Sequence, residues 1–480
     1  MSLPADAQHV VVIGAGITGL TAAYRLLKIT TASDYHGTPV AVTVIESDGE
    51  VGGKIRSSAF AGFTELDEGA DAYLMRVPQA MALSRELGLG EEMTNPTSGH
   101  AAVLRQKLHH IPEGLMLGVP TGINSLSKSG LISWRGKIRA AMEPILPSSG
   151  SHDDCVGTFI RQRFGKEVQK FLVDPLVGSI YAADTQNFSL AMVPQLADLA
   201  VGRSALITAR QRRKSMPTVK TPVFETPRGG LSMLTRALQH AIQVMGGTIA
   251  THTKVEKISR RHKAYLIVTD SQTNQEIEAD SIIITSPARA SAAMLSELDE
   301  QISANLAMTD HASVVMVTVK TQETEIAAFR GLSGYLVAKP DQERVTAVSF
   351  GSNKWAHWQP NDGSMILRVS LGRDGATTHD LIHEWDDERL VTQVIDEVSR
   401  HTQTSVTADI SRVTRWPDAF PQYRPGHLAY VEKIERSLAH SSPGIVIAGA
   451  SMRGIGIPAC VAQGEDSATN VLEFLAHLRD

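Results

Sequence analysis

Cysteine is nearly absent: Cys155 and Cys460 are the two in 480 residues, far apart and in no Cys-x-x-Cys pair. That excludes a disulfide framework and a thiolate metal site, and it fits a reducing, cytosolic setting. Long apolar runs are missing too. The start, Met1 to Gln8, is short and polar, and the uncharged stretch from Val10 to Tyr24 is broken by glycine and threonine, so neither an export signal nor a transmembrane span is expected. An excess of positive charge is lacking: 46 basic side chains against 51 acidic ones leave a formal net charge of -5. This argues against a protein held to nucleic acid by its overall field, local basic patches aside. No internal repeats and no low-complexity linker are found. What remains is a globular composition, 42% hydrophobic and 20% charged, long enough for two or three domains around a large core.

The first patterned unit is His9-Val-Val-Val-Ile13, a β-branched run that reads as a strand. A glycine turn follows, then an apolar helical pattern at Leu20, Ala23, Tyr24 and Leu27, then a second strand at Val40-Ala-Val-Thr-Val-Ile45. Such a β-α-β start predicts a doubly wound parallel sheet, and so an α/β fold of Rossmann type. From about Pro78 to Gln211 helical stretches dominate, including Leu131 to Leu146 and Thr158 to Leu172, which predicts an inserted helical domain. After Gly229-Gly230 a helix is expected over Leu231 to Val244, and strands over Thr248 to Ile258, Ala264 to Thr269 and Ser281 to Thr285. Between Ala312 and Arg373 further strands, such as Val314 to Val319 and Met365 to Ser370, predict a second, antiparallel sheet, followed by a helix from Asp386 to Arg400. The end returns to the opening theme with a strand at Ile445 to Ala448, a glycine-rich turn and a long helix from about Ala459 to Leu478.

The chemistry starts in the turn Gly14-Ala15-Gly16-Ile17-Thr18-Gly19. Gly14 allows the reversal, Gly16 lets backbone N–H groups approach a pyrophosphate, Gly19 lets the helix pack on the strand, and the helix N-terminus offers its orphan donors to the phosphates. Glu46, with Ser47 beside it, closes the second strand and is placed to accept hydrogen bonds from a ribose; an acid there repels a 2′-phosphate, which favours FAD or NAD over NADP. The loop from Thr30 to Thr38 makes the spacing from Gly19 to Glu46 longer than usual. Val51-Gly52-Gly53-Lys54 then points to FAD rather than NAD, because the glycine pair lets the chain fold back over the diphosphate and Lys54 can reach a phosphate or the flavin edge. Glu68-Gly69-Ala70-Asp71 is small and suits a backbone lying against an isoalloxazine ring. At the far end, Gly449-Ala450 closes a strand, and Gly454-Ile-Gly456-Ile457-Pro458 leads into the final helix, whose N-terminus suits the negative charge that reduction places on a flavin's N1/C2=O side.

Five segments in this order, Gly14-x-Gly16-Ile-Thr-Gly19-Leu, Val51-Gly-Gly-Lys54, Asp174-Pro-Leu-Val-Gly-Ser-Ile-Tyr-Ala-Ala183, Gly229-Gly-Leu-Ser-Met-Leu234 and Gly449-Ala-Ser-Met-Arg-Gly-Ile-Gly-Ile-Pro458, resemble the oxygen-dependent porphyrinogen oxidase family, which takes in the coproporphyrin-forming bacterial enzymes and the protoporphyrinogen oxidases. The resemblance implies a flavin-linked amine-oxidase-like fold: a Rossmann-type FAD domain in three pieces (1–77, 216–300 and 426–480), a mixed-sheet substrate domain (301–425, with the antiparallel sheet), and an inserted helical domain (78–215) that faces substrate or membrane. It further implies that Val255 binds the adenine through its backbone and that Trp416 lies beside the flavin. One departure is Ala70, where relatives more often carry proline.

The activity implied is oxidation of coproporphyrinogen III to coproporphyrin III in haem synthesis, by three two-electron steps with hydride passing to the flavin, O2 as acceptor and H2O2 as by-product. Positioning matters more in this chemistry than acid-base groups, so no protein nucleophile and no metal is nominated. The macrocycle is flat, apolar and bears carboxylates, which calls for aliphatic walls and a few cations. Arg76 is the first candidate for a propionate partner, with Arg228 and Arg453 behind it; a solvated charge or structural ion pair is the alternative for each. Protoporphyrinogen oxidation is the nearest rival reading. A flavin amine oxidase or carotenoid desaturase is more distant, and a non-catalytic redox-sensing module more distant still. Two basic stretches, Trp134-Arg-Gly-Lys-Ile-Arg139 and Arg210-Gln-Arg-Arg-Lys214, suit an anionic bilayer or a partner such as the next haem-pathway enzyme, or are simply a solvated face. Cytoplasmic placement, with or without peripheral contact at the inner membrane face, follows from these readings, and the oligomeric state is not legible.

Overall fold

Three distant stretches of chain meet in one parallel sheet, in the order Thr248–Ala250, Val40–Ile45, Gln8–Ile13, Ser281–Ile284, Ile445–Ile447. The computed structural model describes residues 7–97, 99–147, 154–215, 222–270, 275–322, 329 and 331–478. One cross-sheet row runs Ile249, Val44, Val12, Ile283, Val446. Val10-Val-Val12 and Ile282-Ile-Ile284 are wholly buried, as expected of strands covered on both faces. The first helix, Ile17–Thr30, packs with Ser232–Val244 and the last helix, Ile457–His477, on one face. The other face carries the small antiparallel sheet Val255–Arg261, Ala264–Thr269, Glu276–Ala279 and the helices Ala288–Leu295, Glu300–Ala307 and His427–Ser441.

A seven-stranded sheet forms the second layer, in the order Ile410–Pro421, His311–Gln322, Ser364–Leu371, Val345–Phe350, Leu332–Val337, His100–Arg105, Lys107–His110. Its pairings are antiparallel except that Leu332–Val337 runs parallel to His100–Arg105, so the sheet is mixed rather than purely antiparallel. The last two strands fall where the sequence pattern is helical. Ile410–Pro421 carries Pro417 at a bulge opposite Ala312 and Val314, with Asp418 at φ +48, which is how an edge strand accommodates proline. Helix Asp387–Thr402 covers one face.

A separate helical core gathers Trp134–Ala141, Val156–Phe164, Asp174–Tyr181, Pro194–Ala200 and Ala205–Ser215. The helix expected over Thr158 to Leu172 breaks at Gly165, whose φ is +93 and where a Cβ would fall 2.8 Å from Arg139 Cγ. Ahead of Pro175 the ladder widens into a π-turn at Gln169–Val173, because proline has no N–H for the carbonyl of the preceding turn. No helix among the described residues is long and apolar enough to cross a membrane.

Candidate active site

At the carboxyl end of the first strand the chain reverses at Gly14, with φ +102, and the Gly14 N–H donates to Ile45 O at 2.8 Å. Glu46, where the second strand ends, accepts the Ala15 N–H at 2.7 Å on Oε2; its Oε1 accepts the Asp48 N–H at 2.9 Å and the Ser47 hydroxyl at 3.1 Å. The turn itself therefore orients this acid. Gly16 bridges to Gly52, whose N–H donates to Ala15 O at 2.8 Å, and Gly52 and Gly53 both take positive φ. The two glycine segments and the acid thus form one cluster. A Cβ on Gly19 would lie 2.0 Å from Gly14 O, whereas a Cβ on Gly16 would meet nothing within 4 Å. That open space lies at the start of a helix with no side-chain cap, so the N–H groups of Ile17, Thr18 and Gly19, without partners among the described residues, can take an anion. Thr253 donates its N–H to Glu46 O at 2.8 Å, which brings buried Val255, two residues on, to the same end of the sheet.

The far end of the chain lies against this cradle. A Cβ on Gly464 would fall 2.5 Å from Thr18 O, so glycine there lets the last helix press on the first. Gly449 and Gly454 have φ +108 and +125, and the last helix begins after Gly456 with Ile457, Pro458 in its first turn and no side-chain cap.

A third wall comes from the large sheet. Lys54 donates to Ala419 O. Its side chain keeps some exposure, yet protein packs around it, and this burial pushes its ammonium pKa down. A Cβ on Gly69 would meet Lys54 O at 3.3 Å and the Trp416 ring at 3.4 Å, and the Trp416 indole N–H is buried with no partner among the described residues. Ala70 is exposed beside it. Asp71 accepts from Lys354 Nζ at 2.8 Å and Trp355 Nε1 at 3.1 Å, with Arg368 at 3.4 Å. Burial alone would raise its pKa, but the Lys354 and Arg368 charges win and hold it at about 2. Arg368 also donates to Gly69 O.

Of the three candidate arginines, Arg453 is paired with Glu435 at 3.0 Å and Arg228 donates to Glu91 O at 2.8 Å. Arg76 has no ion pair and no hydrogen bond among the described residues, and burial lowers its pKa. Its guanidinium interacts electrostatically with the Tyr181 phenol. Tyr181 packs on Phe188 at 4.8 Å, Phe188 on Tyr423 at 5.6 Å, and the Tyr423 hydroxyl donates to Ala450 O in the C-terminal turn.

Sequence reasoning missed Lys354, Trp355, Arg368 and Asp67. Arg368 had a signal, a lone cation inside the apolar strand Met365 to Ser370. Asp67 accepts from Ser57 Oγ at 2.6 Å and from the Leu231 N–H at 2.8 Å, which docks the Gly229-Gly230 turn; burial raises its pKa to about 6 although both hydrogen bonds oppose this.

A parallel Rossmann-type sheet whose glycine cradle is closed by a mixed sheet and a helical core defines a dinucleotide-dependent oxidoreductase of the flavoprotein class. The family model described as flavin containing amine oxidoreductase matches residues 17–472, and the chain belongs to that family. It is 31% identical over 477 residues to a coproporphyrinogen III oxidase of Bacillus subtilis (strain 168), with 98% of each chain covered, and 32% identical over 461 residues to one of Mycobacterium leprae (strain TN), covering 94% of this chain and 95% of the relative. A solved structure from Exiguobacterium sp. 255-15, named for protoporphyrinogen oxidase, superimposes with a TM-score of 0.84 at 25% identity over 98% of this chain and 100% of the other. The cofactor is FAD, and the donor set fits it: free N–H groups at two helix starts, an oriented acid, and an open space at Gly16.

Proposed function

We propose that this enzyme converts coproporphyrinogen III to coproporphyrin III in haem synthesis, with O2 as final acceptor and H2O2 as by-product. The observation that carries the reading is full-length similarity to relatives named for that activity, joined to an arginine without a carboxylate partner among the described residues at Arg76. Loss of six hydrogens from the macrocycle balances three O2 going to three H2O2. Bound FAD supplies the two-electron acceptor, and the chain's own task is placement. Gly14, Gly16, Ile17, Thr18 and Gly19 take the diphosphate, Glu46 and Ser47 the ribose, and Val255 the adenine. Gly53 and Lys54 fold over the diphosphate, Gly69, Ala70, Asp71 and Trp416 line the ring, and Gly449, Gly456, Ile457 and Pro458 meet its pyrimidine end. Arg76 offers donors to a propionate. The FAD part comprises 1–77, 216–300 and 426–480, the helical part 78–215 and the substrate part 301–425, with His100–Arg105 and Lys107–His110 lent to the substrate sheet.

Turnover of the two porphyrinogens, followed by porphyrin fluorescence, tests this. Coproporphyrinogen III is expected to be preferred; preference for protoporphyrinogen IX would install the rival reading, and no turnover of either would end both. The Arg76→Ala enzyme is expected to raise KM for coproporphyrinogen III about ten-fold or more, the loss of one charge-assisted contact of about 1.5–3 kcal/mol, with FAD content unchanged.

We also propose that the enzyme sits in the cytoplasm and touches the inner membrane face, where product passes to the next haem-pathway enzyme. Trp134, Ile138, Met142 and Ile145 form one exposed apolar stripe, with Trp134 66% and Ile145 76% exposed, and Arg135 stands over the Trp134 ring. Part of the basic charge is tied down: Arg139 donates to Gln162 O and Arg163 O, and Arg212 pairs with Asp198. Sedimentation with anionic vesicles is expected for the parent and not for Trp134→Glu/Ile145→Glu; equal sedimentation of both removes this contact.

A further inference from the structure

Between Gly449 and Gly456 several backbone carbonyls are engaged within the protein. Gly449 O accepts the Met452 N–H at 2.9 Å, Ala450 O accepts the Tyr423 hydroxyl, Met452 O is met by His427 Nε2 at 2.7 Å, and Gly456 O accepts the Cys460 N–H at 2.9 Å. The N–H groups of Ile455, Gly456, Ile457 and Ala459 have no partner among the described residues. The segment is thereby left with a donor-rich edge.

Gln463, buried in the second turn of the last helix, ties the start and the middle of this segment to that helix. Its Oε1 accepts the Gly449 N–H at 3.1 Å and the Arg453 N–H at 3.3 Å; its Nε2 donates to Ala459 O at 3.2 Å and to Gly454 O at 3.5 Å. A side chain that accepts from two backbone N–H groups and donates to two carbonyls must carry both functions at one tip, which an amide does and a hydrocarbon or a carboxylate does not.

We propose that Gln463 is a positioning residue of the flavin site: by clamping this segment it presents the free amide edge to the side of the flavin that gains negative charge on reduction, and so raises the flavin's reduction potential. The inference rests on the FAD reading of the site and is independent of the substrate's identity. Arg453, on the same segment, carries its charge to Glu435 instead, so backbone donors rather than a cation are what the segment offers.

The test is the midpoint potential of the holoenzyme, measured by equilibrium reduction against a reference dye with no porphyrinogen present. Gln463→Met keeps the volume and loses both functions. It is expected to retain FAD and to lower the reduced-to-oxidised ratio at fixed poise about ten-fold, about 30 mV for a two-electron couple, with kcat reduced and KM unchanged. Gln463→Glu keeps the acceptor contacts and regains a donor only when protonated, so its potential is expected to lie below the parent's at high pH and to return toward it as pH falls. A parental potential in both variants would overturn the proposal. Loss of FAD from both would overturn it as well, since Gln463 would then be a support of the fold and not a tuner of the cofactor. A parent that never holds FAD would instead sink the reading beneath it.

Discussion

A Gly16→Val protein is expected to fold as the parent does and to purify colourless. Gly16 has ordinary extended backbone at φ -72, ψ 177, and a Cβ there meets nothing within 4 Å, so the fold has room for the side chain. The room it fills is the space in front of the free N–H groups of Ile17, Thr18 and Gly19. A valine there keeps a diphosphate from at least two of those donors, and at about 1.5–3 kcal/mol for each hydrogen bond to a charged group the loss reaches at least about 100-fold in FAD affinity. Reconstitution with FAD followed by flavin absorbance reads the affinity, and circular dichroism of the apoprotein reads the fold. Stoichiometric flavin in Gly16→Val would move the cradle elsewhere. Gly19→Val is the contrast: a Cβ 2.0 Å from Gly14 O cannot be housed, so that chain is expected to lose stability along with FAD.

Asp174→Ala should lower stability by about 3–5 kcal/mol, because it leaves a buried guanidinium uncompensated. Asp174 and Arg373 are 1% and 6% exposed and meet in two N···O contacts of 3.2 Å. The Thr185 hydroxyl adds a third bond to Asp174 at 2.6 Å, and Arg373 also donates to Ala183 O. The pair fastens helix Asp174–Tyr181 to the loop after strand Ser364–Leu371, so thermal unfolding and proteolysis within the helical part are the readouts. Asp174→Leu with Arg373→Met buries no charge and is expected to recover most of the loss; a double variant as unstable as Asp174→Ala would exclude an unpaired charge as the cause. The segment Asp174 to Ala183 is thus a joint that sets Tyr181 at its end, with Asp174 as its anchoring acid.

Where structure followed local pattern, it was legible. The strand Val40–Ile45 and the strand Ala264–Thr269 stand where the β-branched runs place them, and the last helix starts at Ile457, two residues ahead of expectation because Pro458 fits its first turn. Where it followed partners, it was not. The single strand expected over Thr248 to Ile258 is two, since His252 at φ +52 turns the chain from the parallel sheet into the antiparallel one. Ile410–Pro421, for which the sequence pattern predicts no strand, is one because His311–Gln322 pairs along its length. His100–Arg105 is extended because Leu332–Val337, more than 200 residues away, lies beside it.

The chain's own order of residues determined the nucleotide half of this protein, since a β-branched run, a glycine turn and an acid ending the next strand are local events whose geometry needs little from elsewhere. Tertiary structure alone decided which cations are available and which are neutralised: it gave Arg453 to Glu435, set Lys354 and Arg368 on Asp71, closed Arg373 onto Asp174, and left Arg76 without an anion among the described residues. The physical reason is that an ion pair or a hydrogen-bonded clamp forms where two surfaces are brought together, and which surfaces meet depends on how all the layers pack, not on the neighbours each residue has along the chain.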